Sequence, residues 1–260
     1  MKKARIEPIN LSPSFLGRVL SKGYDYAVAE KLELFSKKDT SAMSEGKALH
    51  AYIAKSLGGV NSELVLCPYP DFRKKEARKW RDSQDKDAVI VMPDKVAVYE
   101  DIVQRLLQVD LIRDKYKTAK YEDVIVQKYG DLNVKGVLDF YARKSSKDKD
   151  KDDKTIVIDW KYVSSQSFDD FGKKAIYMHY DLQAYIYRQL VGADEVYFCT
   201  IENEAPYRIK LWSTDMLFLQ NGEYKFDNAL KIIQDNRWRY PSFNIPEVGT
   251  LTSYYNYQAN

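Results

Sequence analysis

One short stretch, Ile156-Val157-Ile158-Asp159-Trp160-Lys161-Tyr162-Val163, limits the choice of fold more than any other, because it sets two opposite charges inside an apolar run. Read as a strand from Thr155 to Val163, it alternates. Ile156, Ile158, Trp160 and Tyr162 share one face, while Val157, Asp159, Lys161 and Val163 share the other. Asp159 and Lys161 are then neighbours in space. Burying such charges unpaired costs several kcal/mol, so either a metal or mutual pairing must compensate. An Asp-X-Lys triplet by itself usually marks a surface strand, and it is the apolar setting that lifts this one above that reading.

The segments around this strand set its company. Ser12-Pro13 reads as an N-cap and first-turn proline opening a short helix through Phe15, Leu16, Val19 and Leu20. A second helix is expected from Ala42 to Leu57, with Gly46, Leu49, His50, Ile53 and Leu57 on one stripe and His50 pointing inward. After a Pro-rich loop at Cys67 to Asp71 come a basic helix and another from Asp94 to Gln108, striped by Val96, Tyr99, Val103 and Leu106. From Tyr121 the period drops to two: a strand to Tyr129, a turn at Gly130-Asp131, and a strand to Arg143. In that hairpin Asp139 follows Gly136-Val137-Leu138, opposite an apolar face containing Leu138 and Phe140.

The Lys, Asp and Ser run from Lys144 to Lys154 reads as a long mobile hairpin loop. Beyond the Asp159 strand a helix is expected from Lys173 to Val191, with Ile176, His179, Gln183, Tyr187 and Leu190 along one side. Strands at Glu195 to Ile201 and Tyr207 to Trp212 then lead through Ser213, as N-cap, into a last helix ending near Asn236. No internal repeat is present.

At 260 residues the chain reads as one domain: a mainly helical part at 1–118, an αβ core at 119–243 and a Tyr-rich tail at 244–260. Its net charge of +3 hides a local imbalance. Arg73, Lys74, Lys75, Arg78, Lys79 and Arg81 form a basic run that either presents a phosphate-binding helix face or is a solvated surface. The 21 tyrosines supply rings that pack or stack on bases. Cys67 and Cys199 are too few for a disulfide framework, a four-cysteine zinc site or an iron–sulfur cluster. No span approaches the roughly 20 apolar residues of a membrane helix, so a cytoplasmic protein with no membrane partner is expected.

Hydrolysis of a phosphodiester needs an attacking hydroxide and relief of negative charge, and divalent metal held by carboxylates supplies both. One acid near a strand end, a second on the adjacent strand and a lysine two residues on meet that need. Taken alone, His50 is more often a core histidine than a ligand, and Gln183 and Tyr187 are at least as readily packing residues. Together, however, Gly46-Lys47-Ala48-Leu49-His50, Gly136-Val137-Leu138-Asp139, Ile158-Asp159-Trp160-Lys161 and Gln183-Ala184-Tyr185-Ile186-Tyr187 resemble the exonuclease branch of the PD-(D/E)XK superfamily. The likeness is to the RecE-type C-terminal nuclease domain, with Leu11-Ser12-Pro13-Ser14 also fitting.

The resemblance implies an α/β fold with a restriction-endonuclease-like core, a central mixed sheet flanked by helices, and N-terminal helical additions. It implies His50, Asp139, Asp159 and the Trp160 backbone carbonyl as metal ligands for Mg²⁺, with Mn²⁺ as a substitute. Lys161 would act on the nucleophilic water, and Gln183 and Tyr187 would position the DNA or the lysine. It further implies 5′-to-3′ digestion of one strand of linear double-stranded DNA, a RecT-like annealing partner and a homo-oligomeric ring. A RecB-like or restriction-type nuclease, and a non-catalytic DNA-binding protein on the same fold, are the alternatives. Glu122 is a further acid outside the expected site.

Overall fold

The computed structural model describes residues 7–35, 41–59, 64–143, 154–236 and 238–241. Of the loop expected at 144–154, residues 144–153 lie outside these residues, as does the tail from 244. Ser12 opens α1 (Pro13–Lys22) as expected, its hydroxyl accepting from the Phe15 amide at 3.2 Å. Gly23, at φ 86°, closes it and turns the chain straight into α2 (Tyr24–Lys31), a helix the sequence reading left out. The His50 helix is α3 (Ser41–Ser56).

The part expected to be mainly helical also holds two strands, β1 (Leu64–Leu66) and β2 (Val89–Val91), paired in parallel. Each has three residues, too few to show a two-residue period. Between them lies α4 (Lys75–Asp82), so Arg73 and Lys74 precede the basic helix instead of belonging to it. Then follow α5 (Pro93–Leu106) and α6 (Asp110–Arg113).

The hairpin forms as read: β3 (Lys120–Tyr129) and β4 (Leu132–Ala142) are antiparallel, turning through Gly130 at φ 64°. Glycine suits that first turn position because it alone takes positive φ without a steric cost. Next comes β5 (Ile156–Val163), then the short α7 (Ser165–Asp169), α8 (Phe171–Tyr177) and α9 (Tyr180–Val191). Strands β6 (Glu195–Glu202) and β7 (Ile209–Ser213) and helix α10 (Met216–Asn236) complete the order. The main sheet runs β3-β4-β5-β6-β7, with β5 and β6 parallel and every other pair antiparallel. It is therefore the mixed sheet flanked by helices that was expected.

An apolar core lies on each face. Val157, Val196 and Phe198 meet α1, α9 and α10 on one side, while Ile156, Ile158, Trp160, Cys199 and Ile201 meet α3 and α5 on the other. The alternation read along β5 is thus the alternation between cores. In β4 it inverts: Leu138 belongs to the first core and Phe140 to the second, where one shared apolar face was expected. The turnover falls at Asp139, opposite Glu122, whose φ of 48° interrupts the β3–β4 pairing between Tyr121–Phe140 and Asp123–Leu138. A left-handed non-glycine residue within a strand is costly and marks a place held by its surroundings.

Two further expectations are corrected. The single helix over Lys173 to Val191 is broken by His179, at φ 57° and ψ 33°, into α8 and α9. The His179 ring packs against Gly17, where an added Cβ would lie 3.1 Å from its Cδ2. That contact with α1 and the turn at His179 rotate the earlier stripe outward, leaving Ile176 41% exposed. Ser213 ends β7 instead of capping the last helix, and Asp215 takes that role by accepting from the Phe218 amide at 2.8 Å.

Candidate active site

The site begins where two strands part. β4 and β5 pair only from Phe140 to Ala142 against Ile156 to Ile158, so the next pair in register, Asp139 and Asp159, stands at the opening of a fork. Asp139 caps the split by accepting the Trp160 amide at 2.9 Å, replacing a ladder hydrogen bond with a side-chain one. Farther down, Leu11 occupies the vacated edge of β4, bonding to Asn133 and Lys135 at 2.8 and 2.9 Å. The fork is thus held open at one end by pairing and at the other by the N-terminal segment.

Helix α9 fills the ground behind the fork. Gly136 permits this, because a Cβ there would come within 2.5 Å of Leu190 and 3.2 Å of Tyr187. Tyr187 donates to the Val137 carbonyl at 2.8 Å, and Gln183 Nε2 contacts both Tyr187 at 2.8 Å and Asp159 Oδ1 at 2.7 Å. Lys161 Nζ donates to Gln183 Oε1 at 3.0 Å and lies 2.5 Å from Asp159 Oδ2. The amide of Gln183 therefore ties the acid and the lysine together, as its two ends require opposite partners. On the other face α3 brings His50 Nδ1 to 3.4 Å from Asp139 Oδ2.

Burial and charge pull against each other here. Burial raises the Asp159 carboxyl, Lys161 offsets this only in part, and Asp139 adds repulsion, leaving it pushed up to about 6. Burial would raise Asp139 also, but His50 and Lys161 outweigh it and hold that carboxyl below its ordinary value. For His50 and Lys161 burial disfavours the charge, while the facing carboxylates prevail and both are raised. Burial drives Tyr187 well above the ordinary phenol range, so it stays a neutral donor.

The structure brings together His50, Asp139, Asp159, Trp160, Lys161, Gln183 and Tyr187, though not as one ligand shell. Among the described residues no three His, Cys, Asp or Glu side chains are gathered closely enough to hold an ion. The buried Asp159 and the half-buried Asp139 repel, and each stands beside its nearest cation: Asp139 beside His50 and Asp159 beside Lys161. The donor chemistry nonetheless fits a divalent cation. Asp159 Oδ2 is buried and receives no well-directed hydrogen bond despite the nearby ammonium, and the Asp139 carboxylate and His50 imidazole stand across the fork. The residues that would hold it are Asp139 and Asp159, with His50 and the Trp160 carbonyl beside them.

The basic run stands apart. Lys75, Arg78, Lys79 and Arg81 lie on α4, where only Ala77 is buried, and Arg73 and Lys74 precede it; among the described residues none of the six forms a hydrogen bond or ion pair with Asp139, Asp159 or Lys161. Arg81 lies 5.4 Å over the Phe72 ring and Tyr69 meets Trp80 edge-on at 6.1 Å, so the segment is aromatic as well as basic. A groove of about 810 Å³ joins Phe72 and Arg81 to Lys47, one turn before His50. A second, of about 890 Å³, reaches Gln183 and Tyr187 from the Leu32 side.

Two neighbours of Lys161 escaped the sequence reading: the Tyr180 ring at 4.5 Å and the Phe198 ring at 5.6 Å. Tyr180 precedes Gln183 by one helical turn, a usable signal once the helix is known to start there. Phe198 meets Asp159 only through β5–β6 register, which no local pattern carries.

The sequence matches the model of the PD-(D/E)XK nuclease superfamily over residues 10–238. In structure the chain is similar to a candidate exonuclease from Eubacterium rectale, 13% identical, over 96% of this chain and 93% of that one, with a TM-score of 0.56. At that identity the likeness concerns the fold alone. It is also similar to a phage-related exonuclease from Haemophilus somnus 129PT, 13% identical over 88% and 95% of the two chains, with a TM-score of 0.39. No curated protein matches it.

Proposed function

Because this chain belongs to the PD-(D/E)XK nuclease superfamily, whose members generally work with divalent metal ions, we propose that it is a Mg²⁺-dependent exonuclease of RecE-like type. On this reading it removes one strand of linear double-stranded DNA from the 5′ end and leaves a 3′ overhang for a RecT-like annealing protein, working as a homo-oligomeric ring. The observation that carries the hydrolytic part is the fork: Asp139 and Asp159 at the parting of β4 and β5, with Lys161 held to the second acid by Gln183. Direction, partner and ring rest on the motif likeness alone.

A bound divalent cation would supply charge neutralisation at the phosphate and a more acidic water. The chain's own residues do the rest. Lys161 presents a protonated amine beside Asp159 and so offers a donor to negative charge that develops on the phosphate. Gln183 sets the direction of that amine, and Tyr187 fixes which way the Gln183 amide faces. His50, 3.4 Å from Asp139 Oδ2, would join that carboxylate in holding the ion. We place duplex DNA across the Arg73–Arg81 segment and along the groove to Lys47.

Duplex labelled separately at its 5′ and 3′ ends, incubated with Mg²⁺ and with chelator, tests the reading. Loss of the 5′ label first, only with metal, is expected. Cutting of closed circular duplex would replace it with a restriction-type endonuclease. Binding with no cleavage in any divalent metal would leave a DNA-binding protein on a nuclease fold.

A further inference from the structure

Lys161 has a second set of neighbours besides its carboxylate. Its ammonium lies over the Tyr180 ring at 4.5 Å from the centroid and 5.6 Å from that of Phe198. The rings form a three-membered cluster: Tyr180 lies 5.4 Å from Phe198 at 28° and 5.5 Å from Phe171 at 26°, and Phe171 and Phe198 lie 6.1 Å apart at 54°. The backbone builds this platform from two distant places. Phe198 stands level with Asp159 in the β5–β6 ladder, and Tyr180 is the first residue of α9, set there by the left-handed His179. Among the described residues the Tyr180 hydroxyl makes no hydrogen bond, so what the site uses is its ring face.

We propose that Tyr180, with Phe198 beside it, is a positioning residue for Lys161: the ring face keeps the ammonium at the fork independently of the Asp159 carboxylate. The proposal rests on the nuclease reading of Lys161. Its physical reason is that Asp159 has two claims on it, from the lysine 2.5 Å away and from any cation the fork holds. A cation on that carboxylate weakens its attraction for the lysine and repels the ammonium directly. A ring quadrupole attracts the ammonium with no net charge to be neutralised, and in a desolvated setting that attraction is at its strongest. Lys161 thus keeps a resting place when its carboxylate is engaged elsewhere.

The test is a graded series at position 180 in the full chain: Tyr180→Phe, then phenylalanine bearing one, two and three ring fluorines, which keep shape but drain the ring face. Tyr180→Phe, which keeps the ring face and drops only the hydroxyl, sets the reference kcat on linear duplex with Mg²⁺. Across the fluorine series kcat should fall stepwise, by roughly tenfold in all, while KM stays within about twofold, the mark of an interaction used in the reaction and not in binding. Thermal unfolding should fall by at most about 4 °C along the series, the share of one weakened cation–ring contact in a chain of this size, since volume and burial hardly change. Tyr180→Leu, which removes the ring, should lose at least as much kcat as the trifluorinated ring. A flat kcat across the fluorine series in an active enzyme overturns the proposal and leaves Tyr180 as packing. A wild-type chain that leaves the duplex intact overturns the nuclease reading and this proposal with it.

Discussion

Lys161→Ala removes the ammonium beside Asp159 and is expected to cut the rate of Mg²⁺-dependent duplex digestion by roughly 10²–10³-fold. The fold should survive, because Asp159 retains the Gln183 Nε2 donor and its carboxyl, already near 6, readily takes up a proton. Rate and thermal unfolding measured on the same preparation check both halves. Away from the fork, Glu202 is 1% exposed and accepts from the Arg208 guanidinium at 2.9 and 3.0 Å and from Ser165, while Arg208 also pairs with Asp169 at 2.8 Å. The Arg208 and Ser165 hydrogen bonds hold its carboxyl down at about 2, against an ordinary 4.5. A depressed folded-state pKa gives stability that is whole above about 4.5 and is lost as pH falls through about 2. Glu202→Gln should therefore unfold at a lower temperature than wild type at pH 7, and the gap should close between pH 4.5 and 2. A gap that stayed constant over that range would place the effect in packing. Asp139, Asp159 and Lys161 were legible in the sequence because charges in an apolar strand need a reason. Their mutual geometry was not, since it depends on Gln183 reaching across from α9.

At the scale of elements, α9 is fixed by two close approaches. A Cβ on Gly222 would lie 2.1 Å from the Asp181 carbonyl oxygen, so α10 touches α9 backbone to backbone. Gly222→Ala must part the helices and should cost about 3 kcal/mol, the upper end of overpacking. It should also lower nuclease activity, because Asp181 lies two residues from Gln183. Gly136→Ala meets the mobile end of Leu190 at 2.5 Å and should cost nearer 1 kcal/mol. Urea unfolding of the two variants decides the order. The hairpin and β5 were readable because their two-residue period is long and uninterrupted. The break at His179 was not, because both halves keep helical spacing and a single left-handed residue, set by contact with Gly17, separates them. Likewise Leu138 and Phe140 are both apolar, and nothing in their spacing shows that the strand turns over between them.

On the scale of the whole molecule, the two acids sit on strands of very different shelter. β5 is buried from Ile156 through Trp160 with a core on each face, whereas the β3–β4 hairpin leaves Val124, Val126 and Val137 40–55% exposed. Amide deuterium exchange should follow that difference: β5 amides wait for global unfolding, while those of β3 and the lower half of β4 escape through local opening. Equal protection along both strands in a mass-spectrometric time course would contradict this. The forked sheet then behaves as a vice with one fixed jaw and one sprung jaw. On that expectation Asp159 is anchored to the slowest-opening strand, while Asp139, between the fully buried Leu138 and Phe140, stands at the seam where the sprung part of the hairpin meets the fixed core.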